Sequence, residues 1–154
     1  MCVTITLLIT NRKVFFPNMK KSLLSLNLVA SVALALTPFV LFPICEMLTP
    51  DGTHMGCYYS GIFITCMGSL IAFLTLAVFL TRKFIALYAV SSIIAACLCW
   101  LVPNKVIVLW MCGLCGNPEH ACRASTMPAV SVIAAIIVVL CTALLVINLV
   151  TGRN

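Results

Sequence analysis

No charged residue occurs between Arg123 and Arg153, nor between Lys21 and Glu46, Asp51 and Arg82, or Lys83 and Lys105. A helix needs about 20 mainly apolar residues to cross the hydrocarbon core of a bilayer, and each of these four gaps reaches that length. The whole chain is 64% hydrophobic and 8% charged, with a mean hydropathy of +1.24. Nine basic and three acidic side chains cannot provide the charged shell of a soluble domain. The chain therefore reads as an all-α integral membrane protein.

The apolar runs place four spans at about 23–44, 59–81, 84–102 and 126–150, making one transmembrane domain over 23–150. The fourth is the richest in β-branched residues, which lipid still holds helical because every backbone polar group must be bonded internally. Residues 3–10, VTITLLIT, are too short to span, and with Arg12, Lys13, Lys20 and Lys21 they form a cytoplasmic or interfacial arm over 1–22. The first apolar run outlasts the apolar region of a signal peptide, and Pro43-Ile44-Cys45 is not a small-residue cleavage site, so span 1 is expected to be retained. Residues 151–154 form a short tail.

Arg12, Lys13, Lys20 and Lys21 precede span 1, Arg82 and Lys83 join spans 2 and 3, and Arg153 follows span 4. By the positive-inside rule both termini and the 82–83 turn face the cytoplasm of a multi-pass cell-membrane protein. The net charge of +6 is thus a topology signal with some attraction to anionic lipid. Basic residues are not interleaved with aromatics, which speaks against nucleic acid as a partner.

This topology puts loops 45–58 and 103–125 on one, extracytoplasmic side, where they carry Cys45, Cys57, Cys112, Cys115 and Cys122, half of the ten cysteines. Cys66, Cys97, Cys99 and Cys141 lie inside spans and read as small hydrophobes. Loop cysteines outside the cytoplasm should be paired or metal-bound. HMGCYYSG (54–61) opens span 2 and EHACRAST (119–126) opens span 4, each with a histidine shortly before a cysteine; Cys45 and Cys112 lie upstream of these. Two tandem helical hairpins, each closed by a local disulfide, would give this repetition: Cys45 with Cys57, and Cys112 with Cys122, leaving Cys115 as the odd thiol. Each such ring would contribute roughly 2.5 to 3 kcal/mol in the chain-entropy account. A cross-bridge such as Cys57 to Cys122 would instead clamp the hairpins together.

Three chemistries fit the cysteine loop. Cys112-Gly-Leu-Cys115 is a C-x-x-C that could exchange disulfides and pass electrons to a quinone between helices. Cys112, Cys115, His120 and Cys122, with His54 and Cys57 across the hairpins and thioethers from Met55 and Met111, form a candidate set for zinc or copper(I). In the third reading the loop is a disulfide-stapled cap with no cofactor; Glu119 and Pro128 then suit the opening turn of span 4.

The spans contain no Asp, Glu, Lys, Arg or His, which argues against a stand-alone secondary transporter. Their small residues (Ser31, Ala35, Gly61, Gly68, Ser69, Ala72, Ala95, Ala96, Ala134 and Ala135) allow close helix approach. Pro38 should kink span 1 and free a carbonyl. Asn27 and Asn148 sit towards the cytoplasmic ends, within reach of headgroups, and Asn148 could bond across an interface. Trp100, Trp110, Tyr58 and Tyr59 form an outer aromatic belt. Segment 105–110, KVIVLW, suits a re-entrant or surface-lying piece.

Four spans, Met55, Cys57, Tyr58, Tyr59 and Ser60 in the first loop, and Cys112, His120, Cys122 and Arg123 before the last span together resemble a family of small prokaryotic membrane proteins catalogued as a domain of unknown function. The resemblance covers most of the chain from Leu23 onward. Family members are often encoded beside ABC-type export permeases, which implies an accessory membrane subunit. The expected role is therefore non-enzymatic: a structural subunit of a larger membrane complex, partnered by another membrane protein or by its own copies, with thiol redox or metal handling as the rival.

Overall fold

The structure is a computed structural model. It describes the backbone of residues 2–44, 52–107, 112–114 and 120–152, with side chains from Asn18 onward. The described residues are all-α. Helix α1 (Cys2–Leu36) runs into a π turn (Thr37–Leu41), α2 (Gly56–Thr81) and α3 (Ile85–Leu101) follow, and a second π turn (Cys122–Thr126) leads into α4 (Met127–Gly152). Segments Asn18–Leu41, Gly56–Thr81 and Cys122–Thr151 are long and apolar enough to cross a membrane, as a multi-pass protein requires. The expected arm and span 1 form one unbroken helix from Cys2.

Helix α3 is shorter than the 84–102 expected. Phe84, at φ 58°, is left-handed and stands outside the helix, leaving 17 residues. These rise about 25 Å at 1.5 Å per residue, at the lower limit for a core of about 30 Å. Arg82, Lys83 and Lys105, exposed near its two ends, suit the snorkelling by which a short span meets a thicker bilayer. The α2–α3 turn is tight: Arg82 is also left-handed, and its N–H closes α2 on the Val78 carbonyl at 2.7 Å.

Apolar burial does not tell helix from lipid, so the packing face is marked by size and polarity instead of hydrophobicity. In α2 the buried residues Cys57, Gly61, Ile64, Gly68, Ile71, Thr75 and Val78 advance in steps of three and four, with Ser60 buried beside Gly61. Leu24, Asn27, Ser31 and Leu34 do the same in α1, Tyr88, Ser92, Ala95 and Cys99 in α3, and Met127, Val130, Ala134, Ile137, Cys141 and Leu144 in α4. A 3.5-residue spacing keeps one stripe facing its neighbours along the whole helix, as in a left-handed bundle. Helix α1 packs most extensively on α2 and α3 on α4, and α1 also lies along α4. Of the small residues singled out above, Ser31, Gly61, Gly68, Ala95, Ala96 and Ala134 are buried on these stripes. Ser69 and Ala135 are exposed; each is one residue off the stripe.

Helices α1 and α2 approach closely at Gly68. A Cβ there would stand 2.6 Å from the Ala35 backbone nitrogen and 2.8 Å from its Cα, so α1 and α2 touch backbone to side-chain-free backbone. Nearby, Pro38 lacks an amide proton, and the helix answers by widening into a π turn, with Phe42 N–H bonded to the Thr37 carbonyl at 2.9 Å. Thr37 Oγ1 donates to the Ala33 carbonyl and Thr65 Oγ1, from α2, to the Ala35 carbonyl at 3.0 Å. Pro38 leaves the Leu34 carbonyl without its usual donor, and the carbonyls on either side of it, those of Ala33 and Ala35, thus accept from side-chain hydroxyls inside the protein. The two π turns are joined, Thr126 Oγ1 donating to the Phe42 carbonyl at 3.0 Å.

Because the obstacle at Gly68 is backbone, Gly68→Ala should separate α1 from α2 and lower stability by about 1–3 kcal/mol. Ser69→Ala, on the exposed face, should leave the thermal midpoint in detergent unchanged; equal midpoints for the two variants would refute this account of the seam.

Candidate functional site

The start of α2, the end of α1, loop 112–114 and the π turn before α4 meet at one end of the bundle. Ile44, Cys57 and Cys122 form a buried cluster there, with Met55 and Tyr58 packed against it. His54 stacks on Tyr58, with ring centroids 4.2 Å apart and planes at 19°, while Phe39 and Tyr59 meet the same tyrosine edge-on at 6.0 Å. Gly61 makes room for this arrangement: a Cβ on it would fall 2.3 Å from Ile44 Cδ1.

Ser60 fastens the C-x-x-C segment to α2. Gly113 N–H donates to Ser60 Oγ at 2.9 Å, and Ser60 Oγ in turn lies 3.0 Å from the Gly56 carbonyl and 3.3 Å from that of Gly113. Cys112 is therefore held beside α2, whereas Cys122 packs on Cys57 and Ile44. Cys112 is a thiol in this structure, which gives the expected Cys112–Cys122 ring no support. Burial pushes the Cys112 thiol above its ordinary pKa, and the Ser60 hydrogen bond offsets part of that. A nucleophilic thiol of an exchange motif has the opposite shift.

Cys45, Cys115, Glu119, Met111 and Trp110 lie outside the described residues, and so do the Cys45–Cys57 pairing and the second half of the C-x-x-C. Among the described residues, no three His, Cys, Asp or Glu side chains gather as a metal-ligand set. Of the expected ligands, Cys57 on the first turn of α2 packs with Cys122, while His54, two residues before the helix, stacks on Tyr58. Trp100 is exposed at the far end of α3, as a belt residue should be. Val106 and Ile107 of the KVIVLW segment are also exposed. Cys66 and Cys97 are exposed on the apolar helices and Cys99 is buried, all in keeping with small hydrophobes.

The interior holds more polar chemistry than the sequence suggests. Asn27 lies in the bundle core, fully buried, instead of among headgroups. Its Nδ2 donates to the Tyr88 hydroxyl and reaches Cys141 Sγ at 3.5 Å. Tyr88 Oη and Thr75 Oγ1 are 2.8 Å apart, and Thr75 Oγ1 donates to the Ile71 carbonyl at 2.6 Å. With the threonine proton directed to Ile71, Tyr88 donates to Thr75, which fixes the direction of the chain from Asn27 to Tyr88 to Thr75. One residue from each helix enters this node, about 10 Å from the α2–α3 turn at a rise of 1.5 Å per residue. Asn27 Oδ1 has no partner among the described residues. The available signal was register: Asn27, Thr75, Tyr88 and Cys141 fall on the same 3.5-residue stripes as the small residues Ser31, Gly68, Ala95 and Ala134. Asn148 does bond across an interface, accepting from Lys20 Nζ at 3.4 Å.

The family model described as Domain of unknown function (DUF4418) matches residues 27–148. No curated protein and no solved structure matches the chain.

Removing either side of the Asn27–Tyr88 bond should destabilise the bundle, with a coupling of about 0.6–1.7 kcal/mol in the Asn27→Ala/Tyr88→Phe cycle; strictly additive variants would show the node to be incidental. At neutral pH, Cys112 should alkylate more slowly than free cysteine because its raised pKa leaves less thiolate, and the rate should climb above the ordinary cysteine range. Ser60→Ala removes the hydrogen bond that lowers the pKa, so it should slow the reaction further. Peptide-resolved alkylation from pH 7 to 10 reads both effects.

Proposed function

The chain belongs to the DUF4418 family, and we propose that it is an accessory or structural subunit of a larger membrane assembly, with an ABC-type exporter as a candidate partner and with both termini cytoplasmic. The carrying observation is how the polar groups of the spans are spent. Asn27, Tyr88 and Thr75 bond to one another, Thr65 to α1, Thr126 to the end of α1, and Ser60 to loop 112–114. These donors hold helices to helices, which is the chemistry of a scaffold. A proton relay would instead use Asp, Glu, Lys, Arg or His within the spans, and the sequence offers none there.

In this reading the helices form two hairpins, α1–α2 and α3–α4, as their pairwise packing favours. The sulfur cluster is the cap that joins them. Cys57 and Cys122 sit in one buried cluster on α2 and on the turn into α4, which favours the Cys57–Cys122 clamp over rings within each loop. Outside the cytoplasm such a clamp forms by exchange with a donor disulfide, which leaves as a dithiol.

One observation favours a second reading. Met55 packs against Cys57 and Cys122, so two thiols and a thioether share one small space, a donor set suited to copper(I).

Mass spectrometry of the intact protein, isolated from membranes with thiols blocked at lysis, separates the two. The scaffold reading expects a Cys57–Cys122 linked peptide, and loss of co-purifying membrane partners in Cys57→Ser. Retention of copper or zinc by two unoxidised thiols, with partners unaffected by the substitution, would move the protein into metal handling.

A further inference from the structure

At the end of the bundle opposite the sulfur cluster, Lys20 and Lys21 of α1, Arg82 in the α2–α3 turn, and the apolar side chains Leu24, Phe79 and Ile85 line a cleft of about 220 Å³. We propose that this cleft binds one anionic phospholipid, its phosphate held by Lys21, Arg82 and Lys20 and an acyl chain laid along Phe79, Leu24 and Ile85.

The charge balance comes first. The chain has three acidic residues, Glu46, Asp51 and Glu119, and in the sequence all fall in connections that join the other ends of the helices. Among the described residues, no Asp or Glu side chain stands against the cations of this end. Lys20 has the neutral amide of Asn148 as its partner. Arg82 is exposed, and its backbone is held by the bond to Val78.

The helix ends add little to the balance. Helix α3 begins at Ile85, a lining residue, with no side-chain cap and no acidic residue in its first turn. The carbonyl end of α2 closes on the same turn. Helix ends carry about half a charge each, of opposite sign here, so the three full side-chain charges decide the potential.

The walls point to a lipid over a soluble anion. Leu24 belongs to a buried cluster with Val78, Tyr88 and Leu144, and Ile85 packs against it, which gives the cleft a fixed apolar floor. Phe79 is 40% exposed on the outer face of α2, where an acyl chain would lie. Cations at the mouth above apolar walls reproduce the order of headgroup and chain in a leaflet, and basic pockets between transmembrane helices are known to take lipid headgroups.

The test uses the full chain in neutral detergent, given equal amounts of phosphatidylglycerol and phosphatidylcholine, with bound lipid counted by native mass spectrometry. The wild type is expected to retain the anionic lipid preferentially. Lys21→Gln and Arg82→Gln should each cut that preference about five-fold, equivalent to about 1 kcal/mol per basic residue, Arg82→Lys should restore most of it, and Lys83→Gln, adjacent but outside the cleft, should keep it. Lys21 is exposed on a regular helix, so its variant carries the test should Arg82→Gln fail to fold. Equal retention of the two lipids by the wild type would overturn the proposal. So would an equal loss in Lys83→Gln, which would mean unspecific attraction, or full displacement by inorganic phosphate, which would mean a simple anion site.

Discussion

A hydrogen-bonded node that no single helix can complete sets the arrangement of this bundle. Asn27, Thr75, Tyr88 and Cys141 come from α1, α2, α3 and α4 respectively. In water, burial of leucines and valines would drive such helices together, but lipid tails are as apolar as those side chains and the drive vanishes. What remains is packing and polar contact. An amide left in hydrocarbon without a partner is costly, so the one register in which Asn27 meets Tyr88 is favoured over rotations that are equally apolar.

Close packing works from the same stripe. Gly68 lets α1 reach the backbone of α2, and that proximity brings Thr65 to the Ala35 carbonyl next to the proline-widened turn. The π turn at Pro38 then delivers the Phe42 carbonyl to Thr126, beside a second π turn at the head of α4. A proline, a glycine and two threonines are thus linked through neighbouring contacts on one stretch of α1 and the turn that follows it. The cluster of Cys57, Cys122 and Ile44 lies at the end they define.

The two ends of the molecule differ in chemistry. One gathers cysteine, histidine and aromatic side chains, the other lysine and arginine over apolar walls. Membrane class and the apolar body of each helix were legible in the sequence, because charge is excluded from hydrocarbon regardless of tertiary structure. Helix ends were less so: α1 reaches back to Cys2, α2 begins at Gly56, and Phe84, which fits an apolar run as well as Ile85 does, is removed from α3 only by its left-handed backbone. The candidate site was half legible. Cys57, Cys122 and His54 were identified by residue type, but their neighbours were not, since local spacing favoured rings within loops while the fold packs Cys122 on Cys57 and ties loop 112–114 to Ser60. Asn27 was misplaced for a related reason. Its position near the end of an apolar run suggests a headgroup neighbour, and nothing local tells that its stripe faces three other helices.

The sequence by itself determined that this chain lives in a membrane, where its helices run, and which end carries cysteines and which carries cations. Those properties follow from transfer of single residues between water and hydrocarbon, and each residue contributes independently of its partners. Tertiary structure alone decided which cysteine meets which, that Asn27, Tyr88 and Thr75 form one directed chain, and that Lys20, Lys21 and Arg82 converge on a single cleft. These depend on the rotation of each helix about its axis. In an environment apolar on every side, that angle is set by contacts between helices and not by the solvent.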